Sequence, residues 1–208
     1  METKLLQVVF VIDESGSMQG SNADVIGGFN SYLKKHCNVP KARVNVSLYK
    51  FNHLITKVIS NKPVKEVTKL KNRDYTPNGF TALFDAIGKA ISETDQLINS
   101  LPDTERPSTI TMVIITDGQE NASQEYSATA VKSAIATHEK MLNWQFIYLG
   151  ADLDNFADAV SLNISKHIRF SKKNMSSKFD TIADAGIMYS MSRADEMDTD
   201  KLMDDLED

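Results

Sequence analysis

Five consecutive apolar residues, Val-Val-Phe-Val-Ile at 8–12, stop at Asp13 and are followed by Glu-Ser-Gly-Ser. The run is β-branched apart from Phe10 and has no polar face, so the strand it forms has to be covered on both sides. That is the condition of a strand inside a parallel sheet. In an open α/β sheet, ligands gather beyond the carboxyl ends of such strands. Asp13, Ser15 and Ser17 stand at that end.

One carboxylate and two hydroxyls at alternating positions on a tight loop can turn their oxygens towards one point, with Gly16 relaxing the backbone between them. Hard oxygen donors without Cys or His suit Mg²⁺, Mn²⁺ or Ca²⁺ rather than zinc or copper. The same five residues also suit a plain turn whose Asp and Ser side chains bond local backbone groups. This loop by itself leaves both readings open. Two later stretches repeat the pattern. Residues 109–118, Thr-Ile-Thr-Met-Val-Ile-Ile-Thr-Asp-Gly, form a second apolar strand ending in a carboxylate, Asp117, and residues 78–87 place Thr81 after Gly79 just where a helical pattern begins.

The order Asp-x-Ser-x-Ser, then Gly-x-Thr opening a helix, then an apolar strand ending in Thr-Asp-Gly resembles the von Willebrand factor A domain over roughly residues 5–170. The resemblance implies a metal ion-dependent adhesion site. It would place Asp13, Ser15 and Ser17 on a first metal loop, Thr81 on a second and Asp117 on a third, with Mg²⁺, or else Mn²⁺ or Ca²⁺, as cofactor. Phe80 stands where the family often has a second glycine, so it either packs under the loop or forms an apolar wall beside the metal.

Strands alternating with helices predict a doubly wound, mostly parallel sheet with one antiparallel edge strand and helices on both faces. Val25, Ile26, Phe29, Tyr32 and Leu33 recur at helical spacing after Ser21 or Asn22 as cap, and His36 falls at the solvated end of that helix. Val44, Val46 and Leu48 alternate with polar residues in a strand that turns at Asn52 and His53 into a second strand over 54–60, an edge hairpin. The lysine-rich stretch 62–73 predicts a short helix and loop on a solvated face. Leu83, Ile87, Ala90, Ile91, Leu97, Ile98 and Leu101 mark a long amphipathic helix. Asp85, one turn beyond Thr81, is expected either to support a metal ligand or to face solvent. Ser123 is the expected cap of a helix whose stripe is Val131, Ala134, Ile135, His138 and Leu142. Strands follow at 144–149 and 167–170, with short and long helices around 156–160 and 174–193.

The 208 residues fit one domain over 1–193 and an acidic, flexible tail over 194–208. Eight acids against Lys201 leave that tail at −7 and the rest of the chain at +2. A near-neutral body gives no reason to expect nucleic acid as a partner, and no apolar run approaches the roughly 18 residues a membrane span needs. With no signal peptide visible and a single half-buried thiol, Cys37, the chain is expected to be cytoplasmic.

These features point to a protein-binding module, not an enzyme, in which the cation bridges to a Glu or Asp of a partner. Stand-alone intracellular relatives imply an AAA+ ATPase as one kind of partner; a neighbouring copy of the chain is another, since the tail carries acids interleaved with Leu202, Met203 and Leu206. The alternative is a metal-dependent hydrolase with Asp13 as a phosphatase-like nucleophile. Phosphatases of the haloacid dehalogenase type, however, carry a second Asp where this chain has Ser15, and no motif places a general acid or base.

Overall fold

The computed structural model describes residues 4–37, 42–150, 158, 161–164 and 166–169. Strand β1 (Lys4–Asp13) leads into helix α1 (Asn22–His36), then strands β2 (Ala42–Phe51) and β3 (Ile55–Pro63), helix α2 (Leu83–Ser100), strand β4 (Thr109–Thr116), helix α3 (Ala128–Met141) and strands β5 (Trp144–Gly150) and β6 (Lys166–Arg169). The six strands form one sheet in the order β3-β2-β1-β4-β5-β6. All neighbours are parallel except β2 and β3, which pair antiparallel at one edge.

The two-sided apolar run has the consequence expected of it. Leu6, Val8, Phe10 and Ile12 face one core with α1, while Val9 and Val11 face the other with α2 and α3. Phe10 meets Phe29 and Tyr32 edge-on, at ring-centroid distances of 5.2 and 4.9 Å, contacts that add about 0.5–1.5 kcal/mol each beyond area burial. The β1–β4 register pairs Ile12 with Ile115, so the chain emerges from both central strands side by side, at Asp13 and at Thr116.

Several local expectations need correcting. His36 is buried rather than solvated: its ring stacks on Tyr32 at 4.0 Å and Nδ1 lies 3.2 Å from the Tyr32 carbonyl. Strand β2 is buried on both faces, with Ser47 and Tyr49 as enclosed as Val46 and Leu48, because β3 flanks it and α2 lies over it. β3 runs on to Pro63, and the lysine-rich stretch contains only two short 3₁₀ turns, Val64–Glu66 and Asn72–Asp74. α3 begins after Ser127, whose side chain accepts from Ala130 N, and not at Ser123. Leu142 lies just beyond the end of that helix, 51% exposed, instead of in its buried stripe. The expected helices at 156–160 and 174–193 and the acidic tail lie outside the described residues. Among those described, no helix is long and apolar enough to cross a membrane.

Candidate functional site

Three loops meet over the carboxyl ends of β1 and β4. The first leaves β1 at Asp13, which is fully buried. Both of its carboxylate oxygens are held: Ser15 N donates to Oδ1 at 2.6 Å and Thr116 Oγ1 donates to Oδ2 at 2.6 Å. Ser15 Oγ and Ser17 Oγ share a hydrogen bond of 3.0 Å. The buried Tyr75 hydroxyl donates to the Asp13 carbonyl at 2.5 Å.

The second loop, residues 74–81, is tied down along its length. Asn78 N donates to the Glu14 carbonyl (2.9 Å) and Gly16 N to the Gly79 carbonyl (3.0 Å). Glu14 turns away from Asp13. Its carboxylate accepts from Lys50 Nζ at 2.9 and 3.0 Å and from Thr76 N at 2.6 Å, while Lys50 also donates to the Asp74 carbonyl. Gly79 has φ +77°, and a Cβ there would lie 2.6 Å from His53 Nδ1. Only a glycine lets this loop lie directly on the β2–β3 turn.

The third loop follows β4. Gly118 N donates to Thr116 Oγ1 (3.0 Å), which folds residues 116–118 back over Asp13. Asn121 then clasps Thr81 from both sides: its Oδ1 accepts from Thr81 N (2.9 Å), and its own N donates to the Thr81 carbonyl (3.0 Å). Two carboxylates lock this loop to the start of α2. Asp85 accepts from the backbone N–H groups of Gln124, Glu125 and Tyr126 at 2.7–2.9 Å. Glu120 accepts from Phe84 N at 2.9 Å, using the negative charge that a helix start favours, and from Ser123 N and Oγ. Ser123 is therefore a bridge, accepting from Asp85 N at 3.0 Å, and not a helix cap. Asp85 is 7% exposed, which excludes the solvent-facing one of its two readings, and it acts through the loop backbone.

The convergence of these loops can be measured from the one residue that has no side chain. A Cβ built on Gly118 would lie 2.8 Å from Ser17 Oγ, 2.8 Å from Thr81 Oγ1 and 3.2 Å from Asp13 Oδ2. One oxygen from each of two loops and a second from the first thus surround a single point, with Ser15 Oγ hydrogen-bonded to Ser17. Asp117 adjoins Gly118; its Oδ1 is sealed from solvent, and its charge is felt at both Asp13 and Tyr75. Burial pushes the Asp13 carboxyl up to about 6, against the hydrogen bonds from Thr116 and Ser15, and the neighbouring Asp117 charge adds to the rise. Burial likewise raises the Tyr75 hydroxyl, which keeps it a donor.

The donor set fits a hard divalent cation. One carboxylate and two hydroxyls converge here, Asp117 and Ser15 would add a second carboxylate and a third hydroxyl, all of them are oxygen donors, and Lys50 of β2 is paired with Glu14. Among the described residues no three His, Cys, Asp or Glu side chains cluster as a metal-holding group. The hydroxyls are what make this set, and they leave it with few negative charges for a divalent ion.

A family model described as the von Willebrand factor type A domain matches residues 7–183. No curated protein sequence matches the chain. Among solved structures, the vWF domain of the type V pili tip protein Mfa5 from Porphyromonas gingivalis is similar at TM-score 0.63 and 14% identity, with 95% of this chain and 100% of that one covered. The pilus adhesin SpaC from Lactobacillus rhamnosus GG gives TM-score 0.66 and 13% identity over 90% of this chain and 31% of that one. Proximal thread matrix protein 1 from the mussel byssus gives 0.61 and 14% over 89% and 47%. At these identities the likeness is one of fold, and the chain spans less than half the length of the byssus and SpaC chains.

Proposed function

The chain belongs to the von Willebrand factor type A family, and from that premise we propose that it is a protein-binding module working through a divalent cation. Asp13, Ser15, Ser17, Thr81 and Asp117 would hold the ion, Mg²⁺ or else Mn²⁺ or Ca²⁺. When bound, the ion supplies an electrophilic centre that takes a carboxylate oxygen from a Glu or Asp of the partner. The observation that carries this reading is the gathering of Ser17, Thr81 and Asp13 oxygens within about 3 Å of one point.

The chain's own residues do the rest. Thr116 and Ser15 fix the rotamer of Asp13, Asn121 fixes Thr81, and the Asp85 and Glu120 locks hold Asn121 in place. Preorganisation of this kind lowers the ordering cost of binding. Members of the family are generally adhesion or protein-binding modules, which agrees. The hydrolase reading is weaker, since Ser15 stands where phosphatases of the haloacid dehalogenase type carry a second Asp and no motif places a general acid or base. Isothermal titration with Mn²⁺ tests the proposal: one site is expected in the wild type and none in Asp13→Ala or Ser15→Ala, whereas unchanged binding in both variants would overturn it.

A further inference from the structure

The loop before Thr81 turns Phe80 outward, 68% exposed, so that side chain does not pack under it. The third loop is held differently, by a residue outside the ligand set. Asp158 Oδ2 accepts from Glu120 N at 3.1 Å. Glu120 is the neighbour of Asn121, which clasps Thr81 from both sides. The carboxylate of Glu120 is occupied by Phe84 N, Ala122 N and Ser123 N and Oγ. Its backbone N–H is the group through which the chain beyond β5 reaches this loop.

Asp158 is itself fixed. Its carbonyl accepts from Leu162 N at 2.9 Å and from Ser161 Oγ at 2.8 Å. Leu162 and Ile164 are buried in the core shared with α2 and α3, so the carboxylate hangs from a turn whose far end is seated in that core. Its charge is not at ease there. Burial raises the Asp158 carboxyl above its ordinary range, the Glu120 N–H works against that rise, and the Glu120 charge adds to it. The Tyr148 hydroxyl, buried with no hydrogen-bond partner among the described residues, feels the charges of both Asp158 and Asp13, yet gives Asp158 no bond. A half-buried acid beside another acid is a cost that an apolar residue would avoid. What this one does is hold a single N–H of the metal loop in place.

Resting on the function proposed above, we infer that Asp158 is a positioning residue for the cation site: through Glu120 N it fixes the peptide that carries Asn121, and through Asn121 it fixes the Thr81 hydroxyl in the oxygen cradle. Each link is a hydrogen bond or a peptide unit, so a displacement at Glu120 N is passed on with little slack. Without the Asp158 carboxylate, the Glu120 side chain still ties the loop to the start of α2 and to Ser123. The loop therefore stays folded while its peptide gains freedom to tilt. Metal affinity, which depends on where the Thr81 oxygen points, falls further than stability does.

Mn²⁺ calorimetry on the full chain, with urea denaturation in EDTA beside it, tests this. Asp158→Ala should bind Mn²⁺ about tenfold more weakly than the wild type, or worse. Asp158→Asn, whose amide oxygen can still accept from Glu120 N, should return to within about threefold of the wild type. Ile135→Val, a core change on α3 that touches no loop of the site, is the control: it should lower urea stability and leave Mn²⁺ affinity unchanged. If Asp158→Ala does not fold, Asp158→Ser, whose hydroxyl is too short to reach Glu120 N, takes its place with the same expected loss. Wild-type affinity in the alanine or serine variant overturns this inference alone. So does an asparagine variant as weak as they are, or an equal loss in Ile135→Val. A wild type that binds no Mn²⁺ fails at the cation site beneath it.

Discussion

Gly118→Ala places one methyl group in the middle of the oxygen cradle without removing any ligand. Gly118 does not have a left-handed φ, unlike Gly20 and Gly79, so the backbone accepts alanine. The new Cβ would stand 2.8 Å from Ser17 Oγ and Thr81 Oγ1 and 3.2 Å from Asp13 Oδ2. Ordinary carbon–oxygen contacts begin near 3.4 Å, so the hydroxyls must withdraw by about half an ångström. Overpacking of this size costs about 1–3 kcal/mol, and the stiffer unfolded chain offsets about 0.4–1 kcal/mol of it. The expected net loss is about 1–2 kcal/mol, or a fall in Tm of roughly 2–8 °C for a domain of this size. Divalent-ion affinity should fall at least about tenfold, because a carbon stands where the oxygens converge. Gly20→Ala is the control: its φ of +88° makes alanine strained by about 1–2 kcal/mol, yet nothing lies within 4 Å of its Cβ. Thermal denaturation and Mn²⁺ calorimetry on both variants separate the effects. Similar Tm losses with metal affinity reduced only by Gly118→Ala are expected; wild-type Mn²⁺ affinity in Gly118→Ala would refute the reasoning.

Other perturbations act on the scaffold. Asp85→Ala strands three backbone N–H groups and should cost about 3 kcal/mol or more by urea denaturation, with a weakened Mn²⁺ site because Asn121 no longer holds Thr81 firmly; Asp85→Asn should recover part of both. Tyr75→Phe leaves the buried Asp13 carbonyl without its phenol donor and should cost about 1–2 kcal/mol in the same assay. Lys50→Met removes the partner of a mostly buried carboxylate, and about 2 kcal/mol is expected after allowing for its partial exposure, with faster amide exchange over residues 74–80. If Asp13 were a nucleophile, the wild type would turn over a generic phosphoester and Asp13→Ala would not; no turnover by either is expected.

What could be read in the chain depended on how local its signal was. The runs at 8–12 and 112–115 announce two-sided strands because neither has a polar face, and those strands carry Asp13 and Asp117 to the same end of the sheet. Thr81 was legible from Gly79 before it and the apolar period of α2 after it. The supporting role of Asp85 was one of two open readings and Glu120 was not legible at all, because their partners lie 36–41 residues away in sequence or are plain backbone N–H groups, which leave no mark on residue type. An acid in the first turn of α2 was the one available hint. His36 was misplaced because cations usually favour a solvated helix end, whereas here stacking on Tyr32 draws the ring inward. Leu142 fits the period of α3 but falls after the helix has ended. Thr116 was visible in Thr-Asp-Gly, yet its bond to Asp13, 103 residues away, appears only once β1 and β4 pair.

The central claim is that oxygens of three loops share one cation and leave it open on one side. Anomalous diffraction at the manganese edge from Mn²⁺-soaked crystals tests it most directly. One peak is expected in front of Gly118, within about 2.0–2.3 Å of serine and threonine hydroxyl oxygens, with water or a neighbour's carboxylate on the outer face. No peak there, or an ion enclosed by protein on every side, would contradict the account.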